Sequence, residues 1–549
     1  MTTPGRELVE PAPPTELAAP SPPRLGRSAG LIGTATMASR IFGLVREQVM
    51  AYLFGAGNAV DAYNVAFRIP NLVRDLFAEG AMSAAFVPTF TRHLSKDGRP
   101  AAFRLGSHVV NALIVITGGL VLLGMVFAEP LVGLLAGSYR EVPGKFELTV
   151  ALTRVMLPYL TLVALAAALM GMLNSLDRYF VPALAPALFN IGSIAATLAL
   201  IPVMTWLGWP VIHAMAFGVL AGGLSQLALQ WPLLRGEGFH YRPVLDFQEP
   251  GLRQVLLLMG PGTLGLAATQ VNVFVNTWLA TGEGTGAVSW LGYAFRVMYL
   301  PLGLFGVSVA TAALPAIARR VADDDLAGVR RTVTSGLGMM LSLNVPASLG
   351  LAVLGEPIIA LLFERGAFTA ADTQATARAL AGYALGLTGY SVVKIASPTF
   401  YALHESRVPV TVSVISVLFN AALNVALVRV LGYQGLALGT SVTALLNAGI
   451  LLILLRRRLG GLEGRRLASV AARVLVASAG MAVAAHYLHA GLVQLVGARG
   501  LAPQIAGVGG AIAGALLVFW ILARVMHVRE ITDVMDALVR RLTMREGRR

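Results

Sequence analysis

Residues 36–90 read TMASRIFGLVREQVMAYLFGAGNAVDAYNVAFRIPNLVRDLFAEGAMSAAFVPTF. Both halves of this stretch are apolar enough to cross a bilayer, yet they carry Arg40, Arg46, Glu47, Asp61, Arg68, Arg74, Asp75 and Glu79. A charge at the centre of a membrane helix costs about 2.5–3.5 kcal/mol on insertion scales, so four arginines together impose a penalty of order 10 kcal/mol unless they face water or partners. Their presence implies a polar cavity inside a helical bundle, and their sign implies an anionic cargo.

Composition agrees. Of the 549 residues, 56% are hydrophobic and 13% charged, with mean hydropathy +0.72, whereas soluble proteins are about 25% charged. The chain reads as an all-α polytopic membrane protein. Its 42 Lys and Arg against 28 Asp and Glu give a formal charge of +14, which points to nucleic acid or to a membrane surface until the basic residues are located. The absence of cysteine excludes disulfides, thiolate catalysis and Cys-ligated metals.

Residues 1–27 begin with a Pro- and Glu-containing stretch that lacks an apolar core and read as a disordered cytoplasmic tail. Fourteen apolar segments follow, each near the roughly 20 residues that span a bilayer, at about 28–54, 61–91, 105–128, 149–173, 179–202, 210–234, 254–279, 286–318, 332–355, 371–402, 408–428, 434–455, 467–489 and 502–523. With the N-terminus inside, the cytoplasmic segments hold 28 Lys and Arg and the external loops only five, namely Arg140, Lys145, Arg365, Arg429 and Arg499. That asymmetry is the positive-inside signal; it puts both termini in the cytoplasm and accounts for the positive charge without nucleic acid.

The run AFRIPNLVRDLF at 66–77 matches AFRVMYLPLGLF at 294–305, an offset of 228. LDRYFVP at 176–182 matches LHESRVP at 403–409, an offset of 227, and each precedes a helix bearing Leu-Phe-Asn, ending at Asn190 and Asn420. Six segments fit within the offset, so the two copies run in the same direction. The expected architecture is an N-terminal six-helix lobe (28–235), a parallel C-terminal six-helix lobe (236–458), two further helices (459–525) and a basic cytoplasmic tail (526–549). Parallel repeats related by an axis along the membrane normal are a transporter plan, with the cargo site between the lobes and alternating access by rocking.

Four runs carry a family resemblance: SRIFGLVRE (39–47), FGAGNAVDAYNVAFRIPNLVRDLFAEGAMSAAFVP (54–88), PIIALLFERGAFT (357–369) and FYALHESRVP (400–409). Together they resemble the MurJ/MviN lipid II flippases of the multidrug/oligosaccharidyl-lipid/polysaccharide exporter superfamily. The resemblance implies an inner-membrane protein that moves lipid II, the undecaprenyl-pyrophosphate-linked peptidoglycan precursor, from the cytoplasmic to the periplasmic leaflet, in reach of the cell-wall synthesis machinery. It also implies that cargo is bound at the positions matching Arg40, Arg46, Asp61, Arg74 and Arg296, and that the two extra helices form a groove for the polyprenyl tail. The cargo's pyrophosphate carries about two negative charges, which guanidinium groups recognise by bidentate hydrogen bonds. Other readings are a different polyprenyl-linked oligosaccharide or multidrug exporter, or a membrane enzyme acting on the same lipid. An exporter of cationic drugs would favour acidic over arginine-rich cavities.

A spacing of six puts Arg40 and Arg46, or Arg68 and Arg74, about 120° apart on a straight helix, so both members of a pair reach one point only if the helix bends; Gly43 and Pro70 lie between them. Asp61, Arg68 and Asp75 repeat every seven residues and share a face, which makes Arg68 a candidate for an internal ion pair with its acidic neighbours.

In some family members sodium binds at positions matching Asn276, Asn420, Asn424 and Thr440. This chain has Asn276 and Asn424 where those members have carboxylates, which favours interhelical amide hydrogen bonds over a cation, with no other cofactor implied. GEGTG at 282–286 reads as a helix connection, and Glu364-Arg365-Gly366 as either a gate element or a local turn.

Overall fold

A computed structural model describes residues 25–75, 82–497, 500–528 and 530–532. The proposed tails and Glu79 therefore lie largely or wholly outside the described residues. Among these residues there is no strand, and the chain is a bundle of α-helices.

The first lobe comprises α1 (Leu25–Phe54), α2 (Asn58–Arg74), α3 (Met82–Lys96), α4 (Gly98–Val126), α5 (Ala128–Ala136), α6 (Lys145–Met156), α7 (Tyr159–Ser175), α8 (Phe180–Trp206) and α9 (His213–Gly236). The second comprises α10 (Pro250–Thr281), α11 (Ala287–Pro301), α12 (Val307–Ala322), α13 (Leu326–Phe363), α14 (Ala370–Ala384), α15 (Leu387–Ala402), α16 (Arg407–Leu431) and α17 (Tyr433–Arg458). Helices α18 (Gly464–Val496) and α19 (Leu501–Val525) pair with each other and pack on α13.

Each of the fourteen expected segments falls on one helix or on a consecutive pair. Eleven are long and apolar enough to span a bilayer, counting α14 and α15, bent by 41°, as one. The remaining three are α1, α2 with α3, and α10. Arg40, Arg46, Glu47, Asp61, Arg68 and Arg74 depress the hydropathy of the first two, and the side chains of residues 260–269 in α10 are outside those described. Breaks follow local chemistry. Pro158 separates α6 from α7, and Pro301, which has no N–H to donate, is followed by a π-helical turn, Leu302–Gly306, before α12.

The lobes meet at one end of the bundle, where α1 joins α2, α10 joins α11 and α13 joins α14. There a single core cluster draws on both, with Met50, Tyr63 and Tyr139 from the first lobe against Tyr293, Phe363 and Phe368 from the second. Backbone groups join them as well: Ala367 N–H donates to the Tyr52 carbonyl at 2.9 Å, and the Tyr293 hydroxyl donates to the Gly55 carbonyl at 3.1 Å. Gly366 takes φ +61° against Tyr52, so Glu364-Arg365-Gly366 belongs to this seal rather than to a free turn. At the opposite end the two remaining large clusters stay separate, one around Phe86, Phe103 and Met172 with the first turns of α10, the other around Val333, Met340 and Phe400. The bundle is thus closed at the α1–α2 end, whereas at the α3–α4 end, among the described residues, the second lobe enters the first-lobe cluster through α10 alone, with Leu252, Val255 and Met259.

Candidate functional site

Behind the seal lies an interlobe cavity of about 520 Å³. Arg68 of α2 and Arg296 of α11 both line it, with Asn64, Asn71, Asn272 and Tyr383. The two arginines are the identical residues of the repeated Ala-Phe-Arg, 228 positions apart, so the internal duplication gives the cavity one equivalent arginine from each lobe. The same offset relates Asp61 to Ser289, and these two touch across the seal, which puts the pseudo-twofold axis between α2 and α11.

Glu47 organises the arginines nearest the cavity. Its side chain is only 4% exposed, and one carboxylate oxygen accepts both from Arg46 at 2.9 Å and from Arg296 across the lobe boundary. Arg46 also lies over the Phe189 ring, 5.4 Å from its centroid. Glu47 Oε2 is buried without a hydrogen-bond partner. One carboxylate oxygen is thus shared between two guanidinium groups while the other is left unsatisfied.

Arg40 sits on the other flank of α1. Its guanidinium lies against the backbone of Gly303 in the π-helical turn, where even a methyl group would collide with it. Arg74 pairs with Asp75 at 2.7 Å, and Asp75 also accepts from Gln270 of α10 at 3.4 Å. Of the five expected cargo residues, Arg296 lines this cavity and is joined to Arg46 through Glu47, while Arg40, Arg46, Asp61 and Arg74 are not among the lining residues.

Asp61 is fully buried at the seal. It pairs with Lys145 Nζ at 2.9 Å and accepts from Gly286 N–H at 2.7 Å, Ser289 N–H at 3.1 Å and the Ser289 hydroxyl at 2.7 Å. Both oxygens are thereby used inside the protein, and none of the carboxylate is left for cargo in this conformation. Lys145, read from the sequence as an external-loop cation, is instead the first residue of α6, 1% exposed and 4.0 Å from the Tyr139 ring centroid.

This architecture has known counterparts. The family model for the lipid II flippase MurJ matches residues 50–502. The chain is 36% identical over 503 residues to a probable lipid II flippase MurJ of Rhizobium meliloti, covering 90% of this chain and 92% of that one. It is 35% identical to the lipid II flippase MurJ of Burkholderia cenocepacia over 77% of this chain and 82% of the other. The chain belongs to the MurJ lipid II flippase family. A solved MurJ in an inward closed conformation superposes with TM-score 0.74 at 25% identity, over 91% of this chain and 99% of that structure. An inward-facing MATE transporter of the MOP superfamily, 14% identical with TM-score 0.66, shares the fold.

The polar cluster of this MurJ family member's second lobe is knit by its own amides. Asn424 donates to the Asn276 oxygen at 2.6 Å and to the Asn420 oxygen at 3.0 Å; Asn420 donates to Thr443 at 3.0 Å, and Thr440 to the Leu436 carbonyl at 2.7 Å. The oxygens of Asn276 and Asn420 are both occupied, leaving Asn424 Oδ1 as the cluster's orphan acceptor, with no carboxylate beside it. This donor set lacks the carboxylate that would compensate the charge of a cation, and its amides hydrogen-bond one another instead.

Sequence reasoning missed three contributors. Gly286, in the GEGTG connection, gives its N–H to Asp61; Lys145 neutralises Asp61 from 84 residues away; and Arg68 reaches the cavity rather than an acidic neighbour. The repeat held the signal for the last, because Arg68 aligns with Arg296.

Proposed function

We propose that this protein moves lipid II from the cytoplasmic to the periplasmic leaflet of the inner membrane, without altering it chemically, and that the structure corresponds to the inward-facing state. The α3–α4 end is the cytoplasmic one in this reading, supported by the 28 basic residues assigned to that side against five on the other. The observation that carries the proposal is the pair of repeat-related arginines, Arg68 and Arg296, one from each lobe, lining an interlobe cavity sealed at one end.

The chemistry runs as follows. A pyrophosphate entering between the lobes meets the Arg68 and Arg296 guanidinium groups, whose planar donors match phosphate oxygens. To take Arg296 fully it displaces Glu47, so binding frees an acid that otherwise ties Arg46 to Arg296 across the lobe boundary. Arg46, held by the same Glu47 oxygen, supplies the next positive charge along α1 once that carboxylate moves. Closing the cytoplasmic end then requires the seal around Asp61 to part, the alternating step of a rocking transporter. The polyprenyl tail remains in the bilayer throughout, and no step needs a cation at Asn424.

The test is reconstitution in liposomes with labelled lipid II. The parent protein should transfer label between leaflets and return the lipid unchanged, and Arg68→Ala or Arg296→Ala should slow transfer by about 10- to 100-fold, the loss of one charged hydrogen-bond partner. Chemically modified lipid, or full transfer by both variants, would refute the assignment.

A further inference from the structure

A second cavity, about 560 Å³, lies on the outer flank of the first lobe at the α3–α4 end, away from the lobe boundary. One wall is the start of α4, with Arg99, Phe103 and Arg104; the other is the chain leaving α9, with Glu237, His240 and Arg242. That second wall is built rather than loose. The Asn111 amide donates to the carbonyls of Arg242 at 2.8 Å and Val244 at 2.9 Å, and the Tyr241 hydroxyl donates to Asn111 Oδ1 at 2.5 Å.

The charges of the groove are unequally satisfied. Glu237, its one acid, accepts from Arg178 at 2.7 Å and lies 3.5 Å from Arg99, so its charge is already neutralised twice over. The side chains of Arg104 and Arg242 are exposed and have no hydrogen bond or ion pair among the described residues. Tyr241, between His240 and Arg242 of the wall, and Trp231, whose ring meets that of Tyr241 edge-on with centroids 6.3 Å apart, are also exposed. Amphipathic rings beside arginines are the composition of a membrane–water interface, and basic pockets on the cytoplasmic side of membrane helices select phosphate headgroups.

We propose that this groove binds the phosphate of an anionic phospholipid in the leaflet at the α3–α4 end, with Arg104 and Arg242 as its cationic partners. Occupancy ties residues 237–249, the covalent link between the two lobes, to the membrane surface, so anionic lipid content sets how firmly that link is held while the lobes rock.

Native mass spectrometry of the purified full chain tests this with phosphatidylglycerol and phosphatidylcholine as the added lipids. Arg104→Gln with Arg242→Gln should reduce phosphatidylglycerol retention roughly 30-fold, given the attraction of two basic residues to an anionic surface, and leave phosphatidylcholine unchanged. Arg104→Lys with Arg242→Lys should keep most of the retention, and Arg296→Ala, which alters only the interlobe cavity, should keep all of it. Equal retention by the glutamine variant, loss in Arg296→Ala instead, or displacement of the lipid by millimolar inorganic phosphate would each overturn the proposal. Lipid II is absent from the assay, so its outcome is independent of the flippase reading.

Discussion

Replacing Lys145 by Met should unlock the seal more than any change at the lobe boundary itself. Lys145 and Asp61 lie in the same lobe, 1% and 0% exposed, and the ion pair between them is what allows a carboxylate to sit dry against Gly286 and Ser289 of the other lobe. Breaking a buried pair by removing one partner costs about 3–5 kcal/mol. Asp61 keeps three hydrogen bonds, so the low end, about 3 kcal/mol, applies, and it applies only to the closed seal because an opened one hydrates the acid. The closed-to-open ratio should fall roughly 150-fold by that conversion. The chain has no cysteine, so a single introduced pair reports cleanly: Asn58 and Thr285 hydrogen-bond across the boundary at 2.8 Å, and Asn58→Cys with Thr285→Cys should cross-link rapidly in the parent background. Lys145→Met should slow that cross-link sharply, whereas Lys145→Met with Asp61→Asn, which removes both charges, should recover part of the rate. Unchanged cross-linking in Lys145→Met, or a double variant slower than the single one, would refute the claim that the pair stabilises closure.

Glu47→Gln should raise the affinity of the isolated protein for a pyrophosphate-bearing lipid about tenfold, since it removes the anion that competes for Arg296, and should lower net transfer; equilibrium binding and liposome flux measure the two. Gly303→Ala should change thermal stability by no more than about 0.5 kcal/mol, because the Arg40 guanidinium can swing away, yet should impair transfer by displacing that group; complementation of flippase-depleted bacteria reads the loss. Asn424→Ala should destabilise by about 1 kcal/mol in a thermal-shift assay through its lost interhelical bonds, and transfer by the parent protein should be equal in Na⁺ and K⁺ buffers.

The all-helical membrane fold was legible because hydropathy survives any detail of packing, and each of the fourteen apolar segments falls on one helix or a consecutive pair. The roles of individual charges were less so. The heptad grouping of Asp61, Arg68 and Asp75 assumed one straight helix whose members face each other; in the fold Asp61 turns to the other lobe, Asp75 to Arg74 and Gln270, and Arg68 to the cavity. A charge's partner is set by tertiary contact, and Lys145, distant in sequence and placed by topology in a loop, gave no local sign that it would be buried beside Asp61. The amide cluster was readable, because three Asn side chains in apolar helices need one another once no carboxylate is present.

Helix α10 has a consequence for how the protein is made. Its first turns complete the core of the first lobe through Leu252, Val255 and Met259, while its Asn276 is bound into the second lobe by Asn424. The first half of the chain therefore emerges from the ribosome with its core unfinished and is finished by a helix that arrives after the interlobe link. Packing of the first half is thus completed by the second, and a gene cut at residues 237–249 would leave the first product without Leu252, Val255 and Met259.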